Sequence, residues 1–341
     1  MNTASKLPYK AALPFLVVLP FAAAIACLGM GRFYLSAFET AEILWRGIFF
    51  GRDAVDNALG YSVIFNIRLP RIILAVLIGA GLSVAGAAFQ AMFSNPLATA
   101  DTLGVTAGAS LGACIALLFR FNLIGVQLMA LAFGLAAMLL ITFLGRKNGK
   151  TNIIMMILGG IIMASMFSAF LSLVRYVADP EDILPTITFW LMGSLANASY
   201  QNLLLGAPFI IVGTVVLYLL RWKLNILSLN EEEAQTLGVN VQAMRLVVII
   251  CATSIAASSV SMAGQVGWVG LLIPLICRML FGSNNQRIVP ACISIGAVFM
   301  LVIDTVARAA TAAEIPITIL TATIGAPIFI VLLRRTGGVW L

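Results

Sequence analysis

The chain has 341 residues, 62% of them hydrophobic and only 10% charged, with a formal net charge of +7. Soluble domains carry about 25% charged residues, so this composition excludes a soluble enzyme and marks a polytopic helical membrane protein. The absence of histidine removes the commonest general base and metal ligand, and membrane orientation accounts for the basic excess without nucleic acid.

Residues 1–10 form a short basic tail and 11–30 the first apolar run. Ala24-Ile25-Ala26-Cys27 faintly resembles a lipoprotein cleavage box, but the run is long and many more follow, which argues for a retained span. Residues 31–61 read as a mixed polar connection. The second span covers 62–92, and Arg68-Leu69-Pro70-Arg71 at its entry places two arginines on one helix face or turn. Their long stems suit interface anchoring. Arginines on the side away from the basic tail run against the positive-inside tendency, which raises a binding role. Ser94-Asn95-Pro96-Leu97-Ala98 breaks the helix. The third span begins at Leu103 and carries Gly104, Gly108 and Gly112 at intervals of four. Such a stripe lets helices approach closely in lipid, or lines a pathway beside a break.

The fourth span runs over 124–144 and is followed by Gly145-Arg146-Lys147-Asn148-Gly149-Lys150-Thr151. Its glycines are one residue too close for a phosphate-binding loop and it follows a membrane helix, so it reads as a basic cytoplasmic turn. The fifth span, 153–176, carries Met155, Met156, Met163 and Met166, which suit ordinary packing or an adaptable ligand lining. Asp179-Pro180-Glu181-Asp182 is an acidic turn, 186–200 suggests a short interfacial helix, and the sixth span covers 203–220.

Residues 225–245 are the one long polar island in the second half of the chain. They read as two very short helices. Asn230 can cap Glu231, Glu232 and Glu233, whose charges suit a helix start, and Gly238 can end that helix in a left-handed turn. Leu227, Leu229, Ala234 and Leu237 stay apolar among the charges. A docking knob for another protein and an ordinary structured loop both fit this pattern.

The seventh span covers 246–262, and a glycine-rich stretch, 263–270, separates it from a short eighth span, 271–281, containing Pro274. The ninth runs over 288–308, where Asp304 and Arg308 are four apart and can pair. The tenth follows Glu314-Ile315-Pro316 and ends at Arg334-Arg335. Ten spans place both termini on one side, and Lys6, Lys10, Lys147, Lys150 and Lys223 all fall there, which makes that side cytoplasmic. Ser83, Ala85, Gly86, Pro96 and Leu97 recur at one offset as Ser261, Ala263, Gly264, Pro274 and Leu275, a weak echo of an inverted repeat. The five cysteines sit singly in apolar runs, with no Cys-x-x-Cys spacing, so neither a disulfide framework nor a zinc site is indicated.

Several motifs occur in a fixed order: Arg68-Leu69-Pro70-Arg71, Asn95-Pro96-Leu97-Ala98, Leu103-Gly104-Val105, Glu233-Ala234 with Leu237-Gly238-Val239, Gly270-Leu271 with Ile273-Pro274, and Glu314-Ile315-Pro316 through Gly325-Ala326-Pro327. Together they strongly resemble the permease subunits of binding-protein-dependent ABC importers for iron-siderophores, haem and cobalamin, the FecCD type. The resemblance covers nearly the whole chain. It implies an all-α, ten-helix type II importer permease, one transmembrane domain over residues 1–341 with its coupling segment at 225–240. It implies a second permease copy or homologue, two ATPase subunits that carry ATP and Mg, and a periplasmic or lipid-anchored substrate-binding protein. The setting is the bacterial inner membrane. No cofactor or metal belongs to the chain itself.

By this resemblance Leu227, Ser228, Leu229, Glu231, Glu232, Glu233, Ala234, Leu237 and Gly238 match the coupling helices that sit in a cleft of the ATPase. Arg68, Arg71 and Arg308 match outer arginines that pair with acidic residues of the binding protein. Asn95, Pro96, Gly104 and Gly108, with Met163 and Met166, are the candidate path. The family often has histidine where this chain has Leu275, and Asp-His in the turn before Arg287, where it has asparagine and glutamine. A ferric siderophore is the commonest cargo in the family; haem, cobalamin and an oxyanion are the alternatives. A secondary transporter would need ionisable groups near the midplane, and apart from Asp304 the spans offer almost none. The lack of histidine and of clustered carboxylates argues against a membrane enzyme.

Overall fold

The computed structural model describes residues 9–147, 150–151, 153–229, 231–311 and 313–336. Lipid offers no hydrogen bonds to a bare backbone, so apolar runs of this length fold as helices. In chain order they are α1 (Tyr9–Gly29), α2 (Ala37–Phe49), α3 (Ala58–Ser62), α4 (Leu69–Met92), α5 (Val105–Leu118), α6 (Leu123–Leu144), α7 (Ile153–Val177), α8 (Ile183–Leu191), α9 (Tyr200–Leu219), α10 (Lys223–Leu227), α11 (Glu231–Thr236), α12 (Val241–Ala263), α13 (Val269–Phe281), α14 (Asn285–Ala309) and α15 (Ile317–Thr336). Among the described residues eight helices are long and apolar enough to cross a membrane, α3 and α4 counting as one continuous rod over Ala58–Met92. Two shorter apolar helices, α5 and α13, complete the ten expected spans.

Two local readings change. Residues 31–61 are more than a connection, because α2 forms there under a reciprocal cap. Ser36 Oγ accepts from the Glu39 N–H at 3.2 Å, and the Ser36 N–H donates to Glu39 Oε2 at 2.8 Å. The Ser36 N–H, and after it the Ser36 hydroxyl, which also donates to Glu39 Oε2 at 2.8 Å, hold the Glu39 carboxyl below the usual carboxylate range. The basic turn after α6 carries a minimal antiparallel pairing, Arg146 opposite Thr151 and Lys147 opposite Lys150.

Helix α4 is the centre of the packing. Every residue from Ile78 to Met92 is buried, and most are Gly, Ala or Ser. Small side chains let neighbouring backbones come close where lipid gives no hydrophobic drive between helices. At Gly86 the approach is backbone to backbone: an added Cβ would fall 1.9 Å from the Gly270 carbonyl oxygen at the start of α13. At Gly79 it would fall 2.2 Å from the Gly296 carbonyl oxygen of α14. Gly86→Val is therefore expected to force α4 and α13 apart and to cost at least the roughly 1–3 kcal/mol of an overpacked core. The check is the thermal midpoint of the purified permease; an unchanged midpoint would show that the helices separate freely.

The sequence echo is in register with this architecture only in part. Ser83 and Ser261 both lie in long spans, α4 and α12, but Pro96 precedes the short helix α5 whereas Pro274 lies inside α13.

Candidate functional site

The three arginines expected to dock a partner converge on one end of the bundle, but they are enclosed there. Arg68, Arg71 and Arg308 are 4%, 6% and 8% exposed, where rim charges awaiting a partner would be open to solvent. Arg68 ends a short π-helical turn, residues 63–68, and donates to the carbonyls of Leu28 and Phe33. Arg71 Nε donates to Asp304 Oδ1 at 2.7 Å, and its two terminal nitrogens form a fork on Glu314 at 2.7 and 2.9 Å. Asp304 also meets Arg308, the expected partner four residues on, at 3.6 Å, an ionic contact longer than a hydrogen bond. Arg308 in turn donates to the Cys27 carbonyl. The group ties together the end of α1, the start of α4, the end of α14 and the segment before α15. Its acids lie more than 230 positions from Arg71 in sequence, which is why the sequence alone showed only the Asp304–Arg308 half.

The break after α4 is a built turn. Asn95 Oδ1 accepts from the Leu97 N–H at 2.9 Å, and Thr99 and Thr102 bond each other's backbone N–H groups through their hydroxyls at 2.9 and 3.2 Å. Side chains thus satisfy a non-helical backbone inside the bundle. Gly104 closes the turn with φ +73° and hands over to α5. Between this break and α7 lies an open cavity of about 680 Å³, lined by Asn95, Leu97, Asp101 and Thr102 on one side and by Ile157, Ile161, Ser165 and Ser168 on the other.

Of the six expected path residues, Asn95 lines this cavity. Pro96 is half-buried in the turn beside it. Gly104 and Gly108 are buried: Gly104 packs against Gly160 and Ala164 of α7, and Gly108 against Phe133 and Ala137 of α6. The glycine stripe therefore packs helices and does not face the cavity. Met163 is also buried, and Met166 is exposed on α7 outside the cavity lining. Asp101 was missed as a functional candidate because it reads as one more polar residue in a loop; only the fold puts its carboxylate on the cavity wall.

The polar island forms the two expected helices, α10 and α11, at the other end of α4. Residues 71 and 91 of that helix are about 30 Å apart at 1.5 Å per residue. Asn225 receives the Asn285 N–H at 2.8 Å and donates to Asn284 Oδ1 at 2.9 Å, which fixes the island to the start of α14. Ser228 Oγ donates to the Ala91 carbonyl at 3.3 Å, and Ser94 Oγ donates to the Ser228 carbonyl at 3.3 Å. Leu227 and Ala234 are buried and hold the island down, while Leu229, Glu233 and Leu237 are exposed. Gly238 takes φ +73° with no atom within 4 Å of an added Cβ, so the left-handed turn and not crowding calls for glycine. Asn230 and the side chains of Glu231 and Glu232 lie outside the described residues.

The bundle, its two short helices and the anchored island match a known group along almost their whole length. The FecCD transport family profile covers residues 17–335. The chain belongs to the FecCD transport family. This FecCD permease is 42% identical over 319 residues to the molybdate import system permease protein MolB of Haemophilus influenzae, covering 92% of this chain and 93% of that one. It is 32% identical to the hemin transport system permease protein HmuU of Yersinia pestis, with 95% of each covered. A metal-chelate type ABC transporter solved in an inward-facing conformation shares 39% identity and superposes with a TM-score of 0.86 over 96% of this chain and 99% of that one. The FecCD chain is thus a multi-pass permease subunit of an ABC importer for a metal chelate or related substrate.

Proposed function

We propose that this FecCD permease carries molybdate or a chemically similar tetrahedral oxyanion. The observation behind the proposal is the 42% identity to MolB across 92% of the chain, above the 36% to an iron chelatin permease of Helicobacter pylori and the 32% to HmuU. A ferric siderophore, the cargo expected from the sequence, is the second reading; the likeness to a metal-chelate type transporter at 39% identity favours it. Family members named for cargoes as unlike as molybdate and hemin share this fold, so selection belongs largely to the binding protein.

In this reading the island end faces the cytoplasm, consistent with the lysines, and two ATPase subunits dock on α10 and α11. The binding protein meets the opposite end. The arginines act there indirectly: Arg68 holds the carbonyls of Leu28 and Phe33, and so sets the shape of a loop whose Phe33 and Tyr34 are exposed. A second permease copy or homologue closes the path along the α7 cavity. ATP binding shifts the pair between states through the partners' differential affinity for each. The island transmits that shift through Ser228 and Ser94 to the break at the cavity.

The test is uptake into proteoliposomes holding the permease with its ATPase and binding protein. Radiolabelled molybdate is expected to accumulate only with ATP inside, and unlabelled molybdate is expected to compete where a ferric siderophore does not. Uptake of the ferric siderophore alone would replace the first reading with the second.

A further inference from the structure

A dianionic cargo poses an electrostatic problem on this path, because among the described residues the cavity between the break and α7 presents a carboxylate and no cation. Asp101 lines that open cavity, and also a second, enclosed one of about 20 Å³ shared with Thr106, Ser259 and Gly270. It stands in the non-helical segment between α4 and α5 and is exposed. Among the described residues, the polar groups that line these cavities with it are hydroxyls and one amide: Asn95, Thr99, Thr102 and Thr106 from its own segment and α5, Ser165 and Ser168 from α7, and Ser259 from α12. Among the described residues, none of those lining either cavity from α4, α7, α12 or α13 is charged or titrates.

We propose that Asp101 is a protonatable charge filter on the translocation path: neutral, it admits the oxyanion and donates a hydrogen bond to it; ionised, it repels it. The filter rests on the oxyanion reading above. Desolvation by the surrounding protein raises the Asp101 carboxyl above the usual carboxylate range, opposed by the Thr106 hydroxyl, which bonds the charged form. An approaching dianion pushes in the same direction as desolvation, since like charge disfavours ionisation. The neutral carboxyl is then the carrier-competent form, and the competent fraction shrinks as pH rises. The same residue serves as a brake when the cargo is absent, because the ionised form closes the path to other anions.

The experiment measures radiolabelled molybdate uptake by the assembled importer in proteoliposomes at equal internal and external pH, stepped from acid to alkaline. ATP hydrolysis is read in the same vesicles. The wild-type ratio of molybdate carried to ATP hydrolysed is expected to fall with pH, by up to about tenfold per unit above the carboxyl's midpoint. Asp101→Asn is neutral at every pH and nearly the same shape; its ratio is expected to stay flat at the wild type's acid value. Asp101→Glu is expected to retain the pH dependence. Parallel profiles in wild type and Asp101→Asn would overturn the filter while leaving the oxyanion reading intact. Ferric siderophore uptake with no molybdate uptake by wild type at any pH would overturn the oxyanion reading, and the filter with it.

Discussion

Replacing Arg71 with methionine is expected to destabilise the folded permease by on the order of 3–5 kcal/mol, the cost of breaking a buried ion pair by removing one partner. Asp304 is 1% exposed and takes its short hydrogen bond from Arg71 at 2.7 Å. Without Arg71 its nearest cation is Arg308 at 3.6 Å. Glu314 loses its fork as well, but at 33% exposure it can turn to solvent. The loss therefore falls mainly on Asp304, and Arg71→Met combined with Asp304→Asn is expected to recover most of it, because the uncompensated charge goes with the residue. The readouts are the thermal midpoint and the yield of monodisperse protein. A stable Arg71→Met permease that fails only to engage its binding protein would restore a direct docking role for the arginine. Charge reversal is a poor probe of docking here. Glutamates at 68, 71 and 308 would face Asp304, Glu314 and backbone carbonyls inside the bundle, so the triple variant would report misfolding.

The arginine cluster also shows where a single sequence stops being readable. The spans were legible because a bilayer demands long apolar helices, and short ones such as α13 still stand out between Gly264 and Gly282. The left-handed turn at Gly238 was legible because local chemistry decides it. Burial of Arg71 was not, since Asp304 and Glu314 approach it only when α14 packs on α4. The same limit separates Met163 from Met166. Three positions apart on one helix, they read alike, and only the packing of α7 in the bundle buries the first and leaves the second exposed. Ser36 and Glu39 are the opposite case. Their spacing is a capping box visible in the sequence, overlooked because the surrounding residues 31–61 are so mixed in polarity. Asp101 lacked any such local sign; its position on a cavity wall depends on α7, some sixty residues away.

Leu229→Asp combined with Leu237→Asp is expected to weaken the association with the ATPase roughly a hundredfold or more, with the permease itself still folded. Both side chains are exposed, at 43% and 58%, on an otherwise polar island. An apolar tip among charges costs solvation in the free protein and gains it back in a partner's cleft, which is how interface anchors behave. Two anchors at about 2 kcal/mol each, at 1.4 kcal/mol per tenfold, exceed that factor. Ala234→Asp is the contrasting variant: Ala234 is 1% exposed, so a carboxylate there unseats α11 itself and should lower the permease's own thermal midpoint. Retention of the ATPase on the tagged permease separates the two effects, and ATP-driven uptake reads the coupling. If the double leucine variant keeps its ATPase and transports normally, the island is an ordinary loop. If it loses both while its midpoint is unchanged, the contact surface is the outward face of the island. The hydrogen bonds from Ser228 to Ala91 and from Ser94 to Ser228 then tie that face directly to the end of α4 and to the break that carries Asp101.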